Sequence, residues 1–529
     1  MNYELQIISY LCTLKCKIRQ MNKLKDLHKG EASNASYDHV LKYTGIFGGV
    51  QGLKMLCSAG RMKLTTKILG SLGIGLISAY GSVSEFLYNA SNMGIPLNAT
   101  RQTSELFEEG SEEKIGHRVM VIRTWVLWAA LLSVLFCLLF SPLISYFFFE
   151  HDWHHWPEVM LISLVAVGNI IAEGECSILK GLRQVRKVAI IETVLALGTL
   201  LCTIPMYYLL GVRGVILGLI VCAALSALVH FSFSLRMVPY RVRPFSHKTF
   251  VEGLPLVKVG IPYVLANVAN AGLKMAVPAI ILISHTMSDV GHYQAGYTVM
   301  VGYAGLVFMA LESDYFPRLS GEVNNVQRMN FTINQQADVC ILIITPMLIL
   351  LALFMPYVLL ALYEDEFLIV TGMATISVYY TFLRCVSWPL GYSILAKGHS
   401  IAFLALELVS DVLLGLLIWW CYSGFGLVGA GVALSVGALY DMVVNTIYCH
   451  VRYGYVMRRS TLLLFLLQFV FLTAAVVTCF LLPSSEVMRY VFGGGAFLAS
   501  SLLSYFWLRG RSRCLRRKFV RRKHSVYSV

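Results

Sequence analysis

Charge is scarce in this chain. Only 14% of its 529 residues are Asp, Glu, Lys or Arg, against about 25% in ordinary soluble domains. Acidic residues are the scarcer kind, 29 against 43 Lys and Arg. The thirteen cysteines are odd in number and no pair has CxxC or zinc-finger spacing, which argues against a disulfide framework or a structural zinc site. Most lie in apolar stretches (Cys137, Cys176, Cys202, Cys222, Cys340, Cys421, Cys449), where they read as small buried hydrophobes. No Gly-rich phosphate loop ending in Lys-Ser/Thr occurs, so ATP hydrolysis by this chain is excluded. Gly-x-Ser-x-Gly elbows and hydrolase triads are also absent. The expectation is a protein without enzymatic activity or cofactor.

Apolar residues are abundant. Hydrophobic residues make up 57% of the chain, in segments near the roughly 20 residues that a helix needs to cross hydrocarbon. The pattern predicts an all-α polytopic membrane protein with about fourteen spans. They cover 38–60, 70–96, 121–149, 158–180, 187–210, 214–236, 257–284, 293–315, 338–362, 369–396, 400–421, 427–449, 460–482 and 490–508. Lys and Arg gather in alternate connections, which places those on the cytoplasmic side. An even span count puts the basic tail Arg509–Lys523 on the same side as the N-terminus. Arg61, Lys63 and Lys67, in the first outer loop, are an exception. The formal charge of +14 does not imply nucleic acid, because the basic residues sit in short loops between apolar segments. No cleavable signal peptide is expected; the first thirty residues are basic and only briefly apolar, and Met21 is a second candidate start.

The expected organisation is a basic segment 1–37, a six-helix bundle 38–236, a linker 237–256, a second six-helix bundle 257–449, two extra helices within 450–508 and a basic tail 509–529. An internal repeat of the two bundles is expected: near the start of each half the chain reads Lys42-Tyr43-Thr44-Gly45-Ile46 and Lys258-Val259-Gly260-Ile261. Gly52-Leu53-Lys54-Met55 recurs as Gly272-Leu273-Lys274-Met275, late in the first helix of each half.

Polar residues recur at helical spacing inside these apolar segments. The first helix carries Thr44, Gly48, Gln51, Lys54, Ser58 and Arg61; the second carries Ser78, Ser82, Glu85, Asn89 and Asn92. The seventh carries Tyr263, Asn267, Asn270 and Lys274. A charge in mid-membrane survives where it meets a partner or a water-filled cavity, so the stripes predict a polar, partly cationic cavity suited to an anionic substrate. Ser and Asn on such stripes equally serve as interhelical hydrogen-bonding groups. Glu85 needs a counter-charge or a proton, and Lys54 on the neighbouring helix is an available partner. Arg384, in the tenth span, stays protonated and needs an anion, from substrate or side chain. The carboxylates of Glu407, Asp411 and Asp441 either relay protons or pair with inner-loop basic residues, the second being the simpler reading. Glu173 and Glu175 most simply pair with Lys180, Arg183 or Arg186. The crowded loop Glu150, His151, Asp152, His154 and His155, with Trp153 and Trp156, reads as an interfacial aromatic loop in preference to a metal site.

Several segments are familiar as a set. Phe47-Gly48-Gly49-Val50-Gln51, Arg61-Met62-Lys63 and Leu69-Gly70-Ser71-Leu72-Gly73-Ile74-Gly75-Leu76 come first. Asn92-Met93-Gly94-Ile95, Glu112-Glu113-Lys114-Ile115-Gly116, Leu179-Lys180-Gly181-Leu182-Arg183 and Asp314-Tyr315-Phe316-Pro317-Arg318-Leu319-Ser320 follow. In this order the chain resembles Wzx-type O-antigen translocases of the multidrug/oligosaccharidyl-lipid/polysaccharide flippase superfamily, over roughly 38–450. The resemblance implies two six-helix bundles in a V around a cavity lined by helices one, two, seven and eight. It implies flipping of an undecaprenyl-pyrophosphate-linked oligosaccharide across the bacterial cytoplasmic membrane, from inner to outer leaflet, with both termini cytoplasmic. The cargo is an O-antigen, capsule or exopolysaccharide repeat unit. A polysaccharide polymerase and a chain-length regulator are the implied partners, with membrane lipids around the protein and H+ or Na+ as coupling ion. On this reading Lys54, Lys274, Arg384, Asn270, Asn89, Gln51 and Arg61 are substrate-binding candidates and Glu85 is the ion-coupling candidate. A cation-coupled multidrug antiporter of the same superfamily is the alternative, and a membrane polysaccharide polymerase a weaker one.

Overall fold

A computed structural model describes residues 52–148, 156–239, 241–243, 246–283, 285–481 and 486–526. Gln51, most of the first predicted span and the Glu150–His155 loop lie outside them. The described residues form helices and connecting turns, with no strand.

The other predicted spans are helical, although 293–315, 338–362 and 369–396 are each divided among successive helical segments. In chain order the helices are α1 (52–91), α2 (Ile95–Glu109), α3 (Glu112–Phe148), α4 (Trp156–Gly181), α5 (Val185–Leu210) and α6 (Gly214–Leu235). The second half contains α7 (His247–Leu282), α8 (Met287–Tyr297), α9 (Ala304–Ser320), α10 (Val326–Leu353) and α11 (Met355–Leu362). It continues through α12 (Thr371–Ile376), α13 (Val378–Ala396), α14 (Ser400–Tyr453), α15 (Arg459–Leu481) and α16 (Glu486–Val526). Seven helices among the described residues are long and apolar enough to cross a membrane.

Helix α14 holds two predicted spans, and α1 holds most of the second span together with the described end of the first. Within α1, Gly70 takes φ +64; within α14, Gly426 takes φ 58. Such angles lie in the left-handed region that glycine enters without a Cβ penalty, and a right-handed helix does not pass through them unbent. The arms of α14 fold back on each other about Gly426. A Cβ on Gly429 would fall 2.0 Å from the Cys421 carbonyl, and one on Gly437 would fall 3.0 Å from Leu414. Several connections read as loops are helical instead. The amphipathic α2 fills the first inner connection, and α10 starts at Val326, where the Asn325 side chain accepts from the Arg328 amide and caps it.

Packing divides the molecule. In the first half α4 packs on α3, α6 and α2, and α5 packs on α6; in the second, α13 packs on α14 and α10, with α15 on α10 and α16. One apolar core fills the second half, around Ile341, Phe382, Leu390 and Leu434. Three others fill the first, around Val83 and Ile162, around Ile122 and Ile178, and a small one around Leu179 and Ile191. The long helix α7 joins them, packing on α14 and also on α2 and α3.

One buried ion pair holds the first half together near α6. Arg123 grips Glu175 through Nε at 2.8 Å and Nη2 at 2.9 Å, with the side chains 2% and 5% exposed. Its remaining donors reach the Val238 and Pro239 carbonyls and Ser234 Oγ. Glu175 therefore pairs with α3, and not with Lys180, Arg183 or Arg186; of that expectation Glu173 keeps Lys180, at 3.9 Å. Arg123 wins because a fork with five donors satisfies a buried carboxylate and the carbonyls together.

Candidate functional site

A cavity of about 450 Å³ opens where α1, α5, α6, α7, α8 and α14 converge. The helical period explains its lining. On α1, Ser78, Ser82 and Glu85 follow at steps of four and three, and Arg61 and Thr65 come from the same helix before Gly70. On α8, Tyr293, Gln294 and Tyr297 occupy one face; α7 adds Lys274, and α5 and α6 add Thr203, Tyr207 and Cys222. Apolar residues fill the rest, including Leu273, Val277 and Leu414.

Two polar links cross this space between the halves. Lys274 Nζ lies 2.8 Å from Glu85 Oε1, and Ser78 Oγ donates to Gln294 Oε1 at 2.9 Å. Lys54 does not partner Glu85. It pairs with Glu192 of α5, at 2.5 Å, and is absent from the cavity lining. The reason is geometric: Glu85 lies across from α7, while α5 presents its own carboxylate to Lys54. The two lysines that share a Gly-Leu-Lys-Met setting are therefore partnered differently, one within its half and one between halves. Arg61 lines the cavity and makes no ion pair among the described residues.

The remaining candidates are dispersed. Asn89 donates to the Glu85 backbone carbonyl at 2.9 Å, and Asn270 is exposed on α7. Arg384 lies away from the cavity lining, with Nη1 donating to Tyr380 Oη at 2.7 Å. Its charge interacts with Asp441 and Glu407, and Asp411 interacts with both Arg384 and Lys274. Among the described residues no ion pair joins these carboxylates to an inner-loop base, and Asp441 Oδ1 accepts from Asn445 Nδ2 at 2.7 Å. Glu192, Gln294, Tyr293 and Tyr297 were not singled out from the sequence. Glu192 had a signal, as the one carboxylate in its span; the α8 residues had only their spacing.

Tight seams between the halves close both ends of the interface. At the end remote from the basic connections, a Cβ on Gly75 would meet the Met287 carbonyl at 2.0 Å, and one on Gly291 the Ser71 carbonyl at 2.0 Å. Beside them Lys63 Nζ donates to the carbonyls of Leu360, at 2.9 Å, and Tyr363, and faces Glu364 at 3.1 Å. That accounts for one basic residue that defied the charge asymmetry: Lys63 is spent on the seam. At the opposite end Trp125 stacks on Phe250 at 4.9 Å. A Cβ on Gly253 would lie 1.7 Å from the Trp125 indole nitrogen, and His117 meets Glu252 at 2.7 Å.

Residues 74–372 match the family described as "Polysaccharide biosynthesis protein". Among solved structures, the lipid II flippase MurJ in an inward closed conformation is similar at a TM-score of 0.60 and 16% identity, covering 87% of this chain and 99% of that one. An inward-facing multidrug resistance MATE family transporter of the MOP superfamily is similar at 0.58 and 13% identity, covering 76% and 94%. A MOP superfamily transporter from Pyrococcus furiosus follows at 0.51 and 14%, covering 77% and 93%. At these identities it is the fold that is shared. No curated protein sequence matches the chain.

Proposed function

The chain belongs to the polysaccharide biosynthesis protein family, and on that premise we propose that it is a flippase for a polyprenyl-diphosphate-linked oligosaccharide. It is a multi-pass membrane protein built on helices, and its fold is shared with a lipid II flippase and a multidrug transporter, which supports reading it as a transporter. The finer reading is that an undecaprenyl-pyrophosphate carrier bearing a repeat unit moves from the cytoplasmic to the outer leaflet of a bacterial inner membrane. Both termini are then cytoplasmic, and a polymerase and a chain-length regulator act on the product. The bundles 38–236 and 257–449 are the two bodies that rock about the cavity.

The observation that carries this reading is the charge balance of the cavity. Arg61 and Lys274 outnumber Glu85, and Arg61 has no carboxylate partner among the described residues. Sugars and a diphosphate cannot enter hydrocarbon, since each unsatisfied polar group costs several kcal/mol. A wall offering one open guanidinium, hydroxyls and tyrosine rings supplies what such a headgroup loses, while the prenyl tail stays in lipid. The same excess of positive charge disfavours a cavity for cationic drugs. Glu85 is the proposed ion-coupling group, since a proton there would release Lys274 to the diphosphate.

Arg61→Ala and Lys274→Ala, expressed in a strain lacking the native copy, test the reading. The expected result is loss of surface glycan with lipid-linked repeat units accumulating on the cytoplasmic leaflet at unchanged protein level. Normal export by both variants would overturn it.

A further inference from the structure

A second hollow of about 380 Å³ lies at the basic side of the second half, away from the cavity. It is lined by Glu322, Gln327, Arg328, Phe331 and Arg458. The α14–α15 connection that carries Arg458 is stitched to α10. Asn330 Nδ2 donates to the Gly454 carbonyl at 2.9 Å, and Asn334 Nδ2 donates to the Val456 carbonyl at 3.1 Å. The Arg458 amide donates to Asn334 Oδ1 at 2.9 Å. So held, the Arg458 guanidinium sits 4.3 Å from the centre of the Phe331 ring. Arg328 lies three residues before Phe331, on the same side of α10. Glu322 borders the hollow too, but its carboxylate accepts from the Thr332 hydroxyl. Neither guanidinium makes an ion pair among the described residues.

We propose that this hollow binds the phosphate of an anionic phospholipid headgroup in the leaflet on the basic, cytoplasmic side. Two guanidinium forks on a fixed frame match a phosphate diester, which accepts paired N–H donors. Their surplus over Glu322 leaves one positive charge for one phosphate. The level in the membrane selects a lipid over a free anion. Arg328 lies in the first turn of one candidate span, Val326–Leu353, and Arg458 directly precedes another, Arg459–Leu481, and the two helices pack side by side. Leading from the hollow into the membrane, Phe331 is exposed on α10 and Leu462, Leu463 and Leu466 are exposed on α15. A basic pocket between spans with an apolar track beneath it is the geometry of headgroup recognition. This inference needs the membrane topology but no particular cargo.

The test uses the full chain in neutral detergent and follows its melting temperature. Phosphatidylglycerol in mixed micelles is expected to raise it, while phosphatidylcholine and inorganic phosphate are not. In an Arg328→Gln/Arg458→Gln variant, half-maximal stabilisation should require about tenfold more phosphatidylglycerol or worse, the loss of roughly 1.4 kcal/mol, with an unchanged lipid-free melting temperature. If the double variant does not fold, Arg328→Gln alone, an exposed position, gives the same readout. Equal stabilisation by phosphatidylcholine, an undiminished response of the variant, or full stabilisation by inorganic phosphate would each overturn the proposal. Failure here would leave glycan export by Arg61 and Lys274 untouched.

Discussion

Lys274 and Glu85 stand 2.8 Å apart on opposite halves of the molecule, so the cavity's lysine is neutralised by the wall it faces. On the proposed reading a diphosphate reaching Lys274 would displace Glu85, whereas at Arg61 it would meet no carboxylate among the described residues. The two cations therefore differ: Arg61 has no carboxylate partner among the described residues, and Lys274 is tied to the relative position of the halves.

The pair is 40% and 43% exposed at its side chains, and an ion pair that wet is worth about 1 kcal/mol or less. Lys274→Ala and Glu85→Gln should accordingly barely move the melting temperature while cutting glycan export at least about tenfold, the equivalent of roughly 1.4 kcal/mol. Thermal melts and an export assay on the same preparations check this. A large drop in melting temperature with export lost in proportion would make the pair structural and nothing more.

Arg123 and Glu175 should behave in the opposite way. Both are buried, and removing one partner from a buried pair leaves an uncompensated charge at a cost of about 3–5 kcal/mol. Arg123→Ala is expected to lower stability by that order, and Arg123→Lys should not restore it, because an ammonium cannot make the two-pronged contact. Denaturation of the purified variants decides; a melt matching that of the parent would refute the clamp.

The seam at Gly75 and Gly291 leaves no room for a side chain. Gly291→Val should hold the halves apart at that end and expose the cavity. In a cysteine-free background, Thr65→Cys should then react with an impermeant thiol reagent added from outside, and remain protected where Gly291 is retained. Equal labelling of the two proteins would mean that this seam does not gate access.

Much of the architecture could be read from local pattern. Apolar length placed the described spans on helices. The steps of three and four from Ser78 to Glu85 identified a cavity-facing stripe on α1 before any partner was known. Reading failed where the signal was not local. The connections at α2 and at the start of α10 looked like loops because their polar residues obscured helices closed by Asn325 and by packing.

Periodicity and composition alone determined that this is a helical membrane protein with charged groups turned inward, because those properties follow from how each segment meets lipid. Which charges meet was decided only by the tertiary structure. Lys54 and Lys274 lie in the same Gly-Leu-Lys-Met setting, yet one found Glu192 within its half and the other Glu85 across the cavity, while Arg61 has no ion-pair partner among the described residues. A pairing that joins residues 189 positions apart depends on how helices cross and on where glycine lets them touch. No window of sequence contains that information.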